Sequence, residues 1–459
     1  MEIMRKVCYN SKDHFSGDLW KIFHNRRAVY YLRTGVLPPM KYNRTELAGN
    51  IGYSSVIDEK FKTSFLTVRF ITVLGKETAA ANALGISALS SSSRNYNSIA
   101  KLNEKLSALY GASLVSFTRK RGDIQILGLS SSWINSRFAI DGEDLDGEML
   151  ELLRGCIFEP NAEGGEFEAD NFRITKKDLL DRIDAELNNK RGYAISRASE
   201  VAFKGEPAEN SCYGTKETAE AVSAKDAFEA YSRLLETAQI EIYYISSEEN
   251  ERIPEMFRKA FADVKRAPVK IEFEAKSPVK AETAEVSDEF DVNQCKMVMN
   301  FKSDCTDKYA LKYVSTIFGE TPVSKLFVNV REKLSLCYYC ACRPITSKGT
   351  LMVDSGVEKD NIEKAKTEIL AQLDEICNGN ITDDEIQSAV LSFENALSQI
   401  GDTPSSYEAY YFDRFCYGEI MSPAEQLAEY KAVTKERIIE AAKTLKLDSV
   451  YLMLNKEAE

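Results

Sequence analysis

The sequence runs to 459 residues. At about 150 residues per domain, and with single hydrophobic cores ceasing to grow at about 250–300 residues, it holds more than one folding unit. Its 44% hydrophobic and 28% charged residues argue against disorder, collagen and a membrane channel, and a net charge of −12 with no long Lys/Arg block argues against nucleic acid as a partner.

Met1 to Lys21 mixes charges through the stretch where a signal peptide needs an apolar core. No run of about 18 apolar residues offers a membrane span. The expected location is cytoplasmic, with no membrane partner. Residues 1–50 show no clean period and carry the Pro38-Pro39 break, so they are expected to form a peripheral N-terminal extension.

The first domain is expected over 51–265. The run from Thr63 to Val73 alternates Leu66, Val68 and Phe70 against Thr67 and Arg69, which predicts a half-buried strand. Ile99, Leu102, Leu106 and Leu109 step by three and four and predict a helix, with Gly111 placed as its cap. Ala112 to Ser130 predicts a hairpin turning around Arg119 to Gly122. Leu179, Leu180, Ile183 and Leu187 mark a further helix, and Ile240 to Ser246 a closing strand. Residues 266–288, rich in Lys, Glu, Pro and Ala, are expected to be a linker.

The second domain, 289–459, starts the same programme again. Met297, Met299 and Phe301 alternate with Lys296, Asn300 and Lys302. From Lys325 a helix is predicted to run into a strand, followed by a turn at Ser347-Lys348-Gly349. Glu104-Lys105-Leu106-Ser107 is echoed by Glu332-Lys333-Leu334-Ser335. With the matching order of strand, helix and hairpin, the echo points to an internal duplication. Two helices follow, one striped by Ile362, Ala365, Ile369, Leu373 and Ile376, the next opened by a Thr382/Glu385 capping box. The expected fold class is α+β, with two homologous domains, each a mostly antiparallel sheet with helices packed on one face.

Histidine narrows the chemistry. Only His14 and His24 are present, so a His-based triad or His-liganded zinc could be built only from the amino-terminal segment. Ten cysteines without regular spacing fit reduced thiols better than a disulfide framework. Cys337, Cys340 and Cys342 have the spacing of thiolate ligands, but a regular strand would turn Cys337 away from the other two. No second pair completes a tetrahedral site, so buried thiols are expected. Ser90 to Ser93 lack an activating base and read as a loop. Asp178, Asp181, Asp184 and Glu186 read as a solvated helix face, with divalent-ion binding as the alternative.

Arg331-Glu332-Lys333 followed by Leu336-Cys337-Tyr338 is the most suggestive grouping. A helix end feeding a strand can bring the Arg331 guanidinium and the Tyr338 phenol into one cleft, as donors to a peptide carbonyl or an oxyanion. The plainer alternative is an Arg on a helix surface and a Tyr in a core.

From about residue 50 the chain resembles the pitrilysin/insulinase family of zinc peptidases, whose active members carry H-x-x-E-H. It is most similar to bacterial subunits that work in pairs. Ser324 to Tyr339 matches the family's second-domain signature of the S-R-L-F-x-x-x-R-E-K-x-G-L-x-Y type. Gly214 to Thr218 matches a G-T-x-E segment, and Phe158 and Pro160 fall at the expected helix end. The departure from the family lies at the metal motif, whose place is held by Ala83-Leu84-Gly85-Ile86-Ser87, while the helix of the third ligand maps near Asp181-Arg182-Ile183. The resemblance implies an inactive homologue that binds no metal itself. Its zinc would sit in a homologous partner subunit carrying H-x-x-E-H, and Arg331 and Tyr338 would hold an extended peptide substrate. A structural or assembly role without proteolysis is the alternative, and a lone peptidase with an unusual metal site the third reading.

Overall fold

A computed structural model of the chain describes residues 41–456. His14, His24 and the Pro38-Pro39 break lie outside the described residues.

The first half opens with strands β1 (Lys41–Ala48), β2 (Ile51–Ile57) and β3 (Thr63–Val73). Helices α1 (Ala79–Leu89) and α2 (Ile99–Ala108) follow, then the hairpin β4 (Ser113–Arg121) and β5 (Ile124–Ile134) and helix α3 (Leu145–Phe158). A two-residue ladder, β6 (Ala162–Glu163) with β7 (Glu166–Phe167), leads into α4 (Ala169–Glu186), α5 (Lys190–Ala202), α6 (Lys216–Ala221) and α7 (Ala224–Thr237). Strand β8 (Gln239–Ser246) and helix α8 (Arg252–Ala262) close the half.

The second half repeats the order with β9 (Ala284–Phe290), β10 (Cys295–Lys302), α9 (Lys308–Gly319), a π-helical segment (Leu326–Lys333), β11 (Cys337–Ile345) and β12 (Thr350–Val357). Five helices come next, α10 (Ile362–Cys377), α11 (Asp383–Ser398), α12 (Pro404–Cys416), α13 (Pro423–Lys431) and α14 (Lys435–Lys443), before strand β13 (Lys446–Asn455).

The duplication is visible in the sheets. The first has the order β1-β2-β8-β3-β5-β4 and the second β9-β13-β10-β12-β11. Without β1, the first order maps strand by strand onto the second. Each sheet is antiparallel except for one parallel pair, β2 with β8 and β9 with β13, at the same place in both. The fold is α+β, as expected.

Residues 41–48, assigned from the sequence to the extension, form an edge strand paired with β2. Its polar run, KYNRTELA, shows no apolar alternation because both faces of this edge stay partly solvated. Residues 284–288 of the expected linker already belong to β9, which pairs with β13.

Each half's own helices pack on one face of its sheet. The first core joins Leu66, Val68 and Phe70 of β3 to Leu84, Leu106, Leu153 and Leu234 of the helices, and the second joins Met297, Met299 and Phe301 of β10 to Val314, Ile369 and Phe393. The opposite face of each sheet is covered by a helix of the other half. Helix α12 sets Tyr407, Tyr410, Tyr411 and Phe412 against Val56, Ile71, Ile126 and Tyr243 of the first sheet. In return α5 places Ala194 and Ala198 against Val298, Met352, Tyr451 and Met453 of the second. At about 1.5–3 kcal/mol for each large side chain taken from water, this reciprocal cover is a major part of what joins the halves.

Buried charges complete the join. The Arg69 guanidinium of β3 donates to both Glu408 carboxylate oxygens of α12, with Nη2 to Oε2 at 2.7 Å, both side chains being buried. Lys348 Nζ reaches Asp123 Oδ2 and Glu206 Oε2, each at 2.7 Å.

Candidate functional site

Helix α1 occupies the place where the resemblance puts a metal motif. Ala83, Leu84, Gly85 and Ile86 are buried, and the carbonyl of half-buried Ser87 accepts from the Ser90 and Ser91 hydroxyls. Gly85 lies so close to α7 that a Cβ there would stand 2.6 Å from the Ala227 carbonyl oxygen. The helix is a packing element, and none of these side chains ligates zinc.

Asp181, on α4, pairs with Lys177, and Asp184 with Lys216 at 2.8 Å. Arg182 donates to the Tyr213 hydroxyl at 2.9 Å. A cavity of about 590 Å³ beside these residues is lined by Arg173, Lys176, Lys177 and Lys216 together with Asp181 and Asp184. A divalent ion there would meet ammonium and guanidinium groups, so the lining does not fit zinc. Among the described residues no group of three or more His, Cys, Asp or Glu is placed to hold a metal ion. The serine run is structural, with Ser91 bonded to Thr175 at 3.1 Å and Ser92 accepting from Asn161 at 3.3 Å.

Arg331 and Tyr338 sit on the second half. The π-helical segment is anchored by buried Leu326 and Val330 and closes with Leu334 N–H donating to the Asn329 carbonyl at 3.1 Å. Ser335 then takes a left-handed conformation, φ 49°, which turns the chain sharply into β11. Left-handed backbone at a residue with a side chain and a π-helical turn are both uncommon and gather at functional sites. The Arg331 guanidinium lies 4.6 Å from the Phe327 ring centroid and 3.6 Å from Glu332. Tyr338 is 65% exposed on β11, the edge of its sheet.

A β-bulge explains why. Cys337 stands opposite Val357 and Tyr339 opposite Gly356, which leaves Tyr338 as the extra residue. The bulge also overturns the expectation that Cys337 faces away from Cys340 and Cys342. All three lie opposite residues of one face of β12, Val357, Ser355 and Val353, and enter the same core. The hydrogen bond from Cys340 holds the Cys337 thiol below the usual thiol range, against its burial and with help from the Arg331 charge. Donating that bond, with burial added, pushes Cys340 well up. The other face of β11 carries Tyr339, stacked on Arg191 at 4.3 Å, and Arg343, paired with Asp354 at 2.7 Å. Neither the bulge nor the π-helical turn was legible in the sequence. The one available signal was the run from Leu336 to Cys342, which keeps neither a helical nor a strand period.

The geometry defines a two-half α+β fold whose described residues hold no cluster of metal-ligating side chains. Residues 221–393 match the family described as Peptidase M16 inactive domain. The chain is 29% identical over 418 residues to the probable inactive metalloprotease YmfF of Bacillus subtilis, covering 89% of this chain and 97% of that protein. A conserved protein of Enterococcus faecalis superposes with a TM-score of 0.84 at 26% identity, over 91% of this chain and 99% of that one. The structure titled peptidase M16 inactive domain from Pseudomonas fluorescens gives 0.74 at 14% identity, over 92% and 99%, a likeness of fold. Residues 221–393 thus carry the signature of an M16 inactive domain, and over most of its length the chain is similar to a probable inactive metalloprotease.

Proposed function

We propose that the protein is the substrate-binding subunit of a two-subunit M16 peptidase. The supporting observation is the contrast between its halves. The helix that the resemblance sets in the metal motif's place is packed into a core, while Arg331 on the π-helical segment and Tyr338 on the edge strand β11 both keep their side chains substantially exposed. A homologous partner with H-x-x-E-H would hold the zinc and activate the water, and this chain would bind no metal. An extended peptide adding as a strand to a sheet edge of the partner would be gripped through its backbone, which suits varied sequences. Arg331 and Tyr338 would donate to the carbonyl being cleaved. No described helix is long and apolar enough to cross a membrane, and the proposed setting is cytoplasmic.

The test is turnover by the assembled pair. Removing one donor to a developing oxyanion costs about 10²–10³ in rate, so Arg331→Ala and Tyr338→Phe should each lower kcat by about that factor while leaving assembly intact. Unchanged turnover in both variants would reject the role.

A further inference from the structure

We propose that Cys337 and Cys340 form a redox-active dithiol that closes to a disulfide by exchange with a low-molecular-weight disulfide, and that closure displaces the bulge carrying Tyr338. Three observations carry this. First, the bulge places both residues on one face of the strand, opposite Val357 and Ser355. Two strand residues span about 6.6 Å, within the Cα separation a disulfide accepts. Second, both cysteines are free, both side chains enter the same core, and each lies close enough to shift the other's ionisation. Third, Cys342, the other thiol on this face, is engaged elsewhere, accepting from the Ser315 hydroxyl at 3.5 Å.

The chemistry needs a thiolate that can be reached. The bond from Cys340 and the nearby Arg331 charge favour the Cys337 thiolate, and the thiolate is the attacking species. Cys337 is 8% exposed on the edge strand, which among the described residues pairs with β12 alone. Its sulfur attacks one sulfur of the small disulfide and releases one small thiolate, giving a mixed disulfide. The released thiolate takes the Cys340 proton. The Cys340 sulfur then attacks the Cys337 sulfur and expels the second small thiolate. Two cysteine thiols are oxidised and one small disulfide is reduced to two thiols. A bond between residues flanking the bulge constrains the backbone between them, and Tyr338 is the first residue of that span. The consequence for peptide binding rests on the role proposed for Tyr338; the dithiol itself does not.

The experiment exposes the full chain to glutathione disulfide and reads intact mass, peptide mapping and amide hydrogen exchange. The expected result is loss of two hydrogens, mapped to a Cys337–Cys340 bond and reversed by a reducing thiol, with altered exchange across residues 338–341. In Cys340→Ser the mixed disulfide on Cys337 should persist, and Cys342→Ser should leave bond formation intact. If the wild-type chain keeps both thiols open to alkylation, or bonds Cys340 to Cys342, the dithiol is rejected. Bond formation with unchanged exchange at 338–341 rejects the coupling to Tyr338. These readouts need no partner or peptide, so their failure is distinct from failure of the substrate-binding role.

Discussion

Gly85 sits at the tightest approach of α1 to α7. It lies among buried neighbours of α1, and a methyl group there meets the Ala227 backbone, which cannot swing aside as a side chain can. Gly85→Ala should therefore lower stability by about 1–3 kcal/mol, measured by chemical denaturation, whereas an exposed glycine such as Gly111 has open space around it. The Arg69–Glu408 pair supplies a second residue-scale prediction. Glu408→Ala leaves a buried guanidinium without its carboxylate and should cost about 3–5 kcal/mol, while the double variant Arg69→Met/Glu408→Met should lose much less. Equal losses in the two proteins would mean that the pair's packing, not its charge, is what matters. Sequence reading named Arg69 only as the polar side of a strand, because its partner lies 339 residues away.

At the scale of elements, the segments with a clean period were legible. The run Thr63–Val73 is β3 over the expected residues, the 99–109 stripe is α2, and the Thr382/Glu385 capping box opens α11. Illegible elements were those whose register is set by distant partners. Helix α12 has apolar and aromatic residues on the face that meets the other half's sheet, and nothing local announces such a neighbour. The bulge at Tyr338 lies between the left-handed Ser335 and the regular pairing of β11 with β12, a shift of register that no local period announces. The capping box also reaches the candidate site. Besides capping α11, the Glu385 carboxylate accepts from Lys325, the residue that opens the π-helical segment, at 3.1 Å, with both side chains largely buried. Glu385→Gln keeps an acceptor for the cap but removes the charge facing Lys325. It should cost about 1.5–3 kcal/mol and speed amide exchange over 326–333, with α11 itself little changed.

For the whole molecule, the exchange of α5 and α12 between the halves makes each sheet depend on the other half for one of its covers. Typical interfaces between domains of one chain are looser and more polar; here each sheet face would be left apolar and wet if the halves parted. The full chain should therefore unfold in a single cooperative transition, and the separate fragments 41–265 and 266–456 should not fold alone. Two resolved transitions in calorimetry would contradict this. The duplication itself was readable from the Glu104-Lys105-Leu106-Ser107 echo and the repeated element order, but the cross-cover was not, since it is a property of the two copies together. Whether this chain works in a complete assembly is decided by affinity capture of the tagged chain from its native cells, with mass spectrometry and zinc analysis of the complex. The substrate-binding role proposed for this chain requires an equimolar homologue carrying H-x-x-E-H, with zinc following that homologue and not this chain. Recovery of this chain without such a homologue, or with zinc bound to the chain itself, would contradict it.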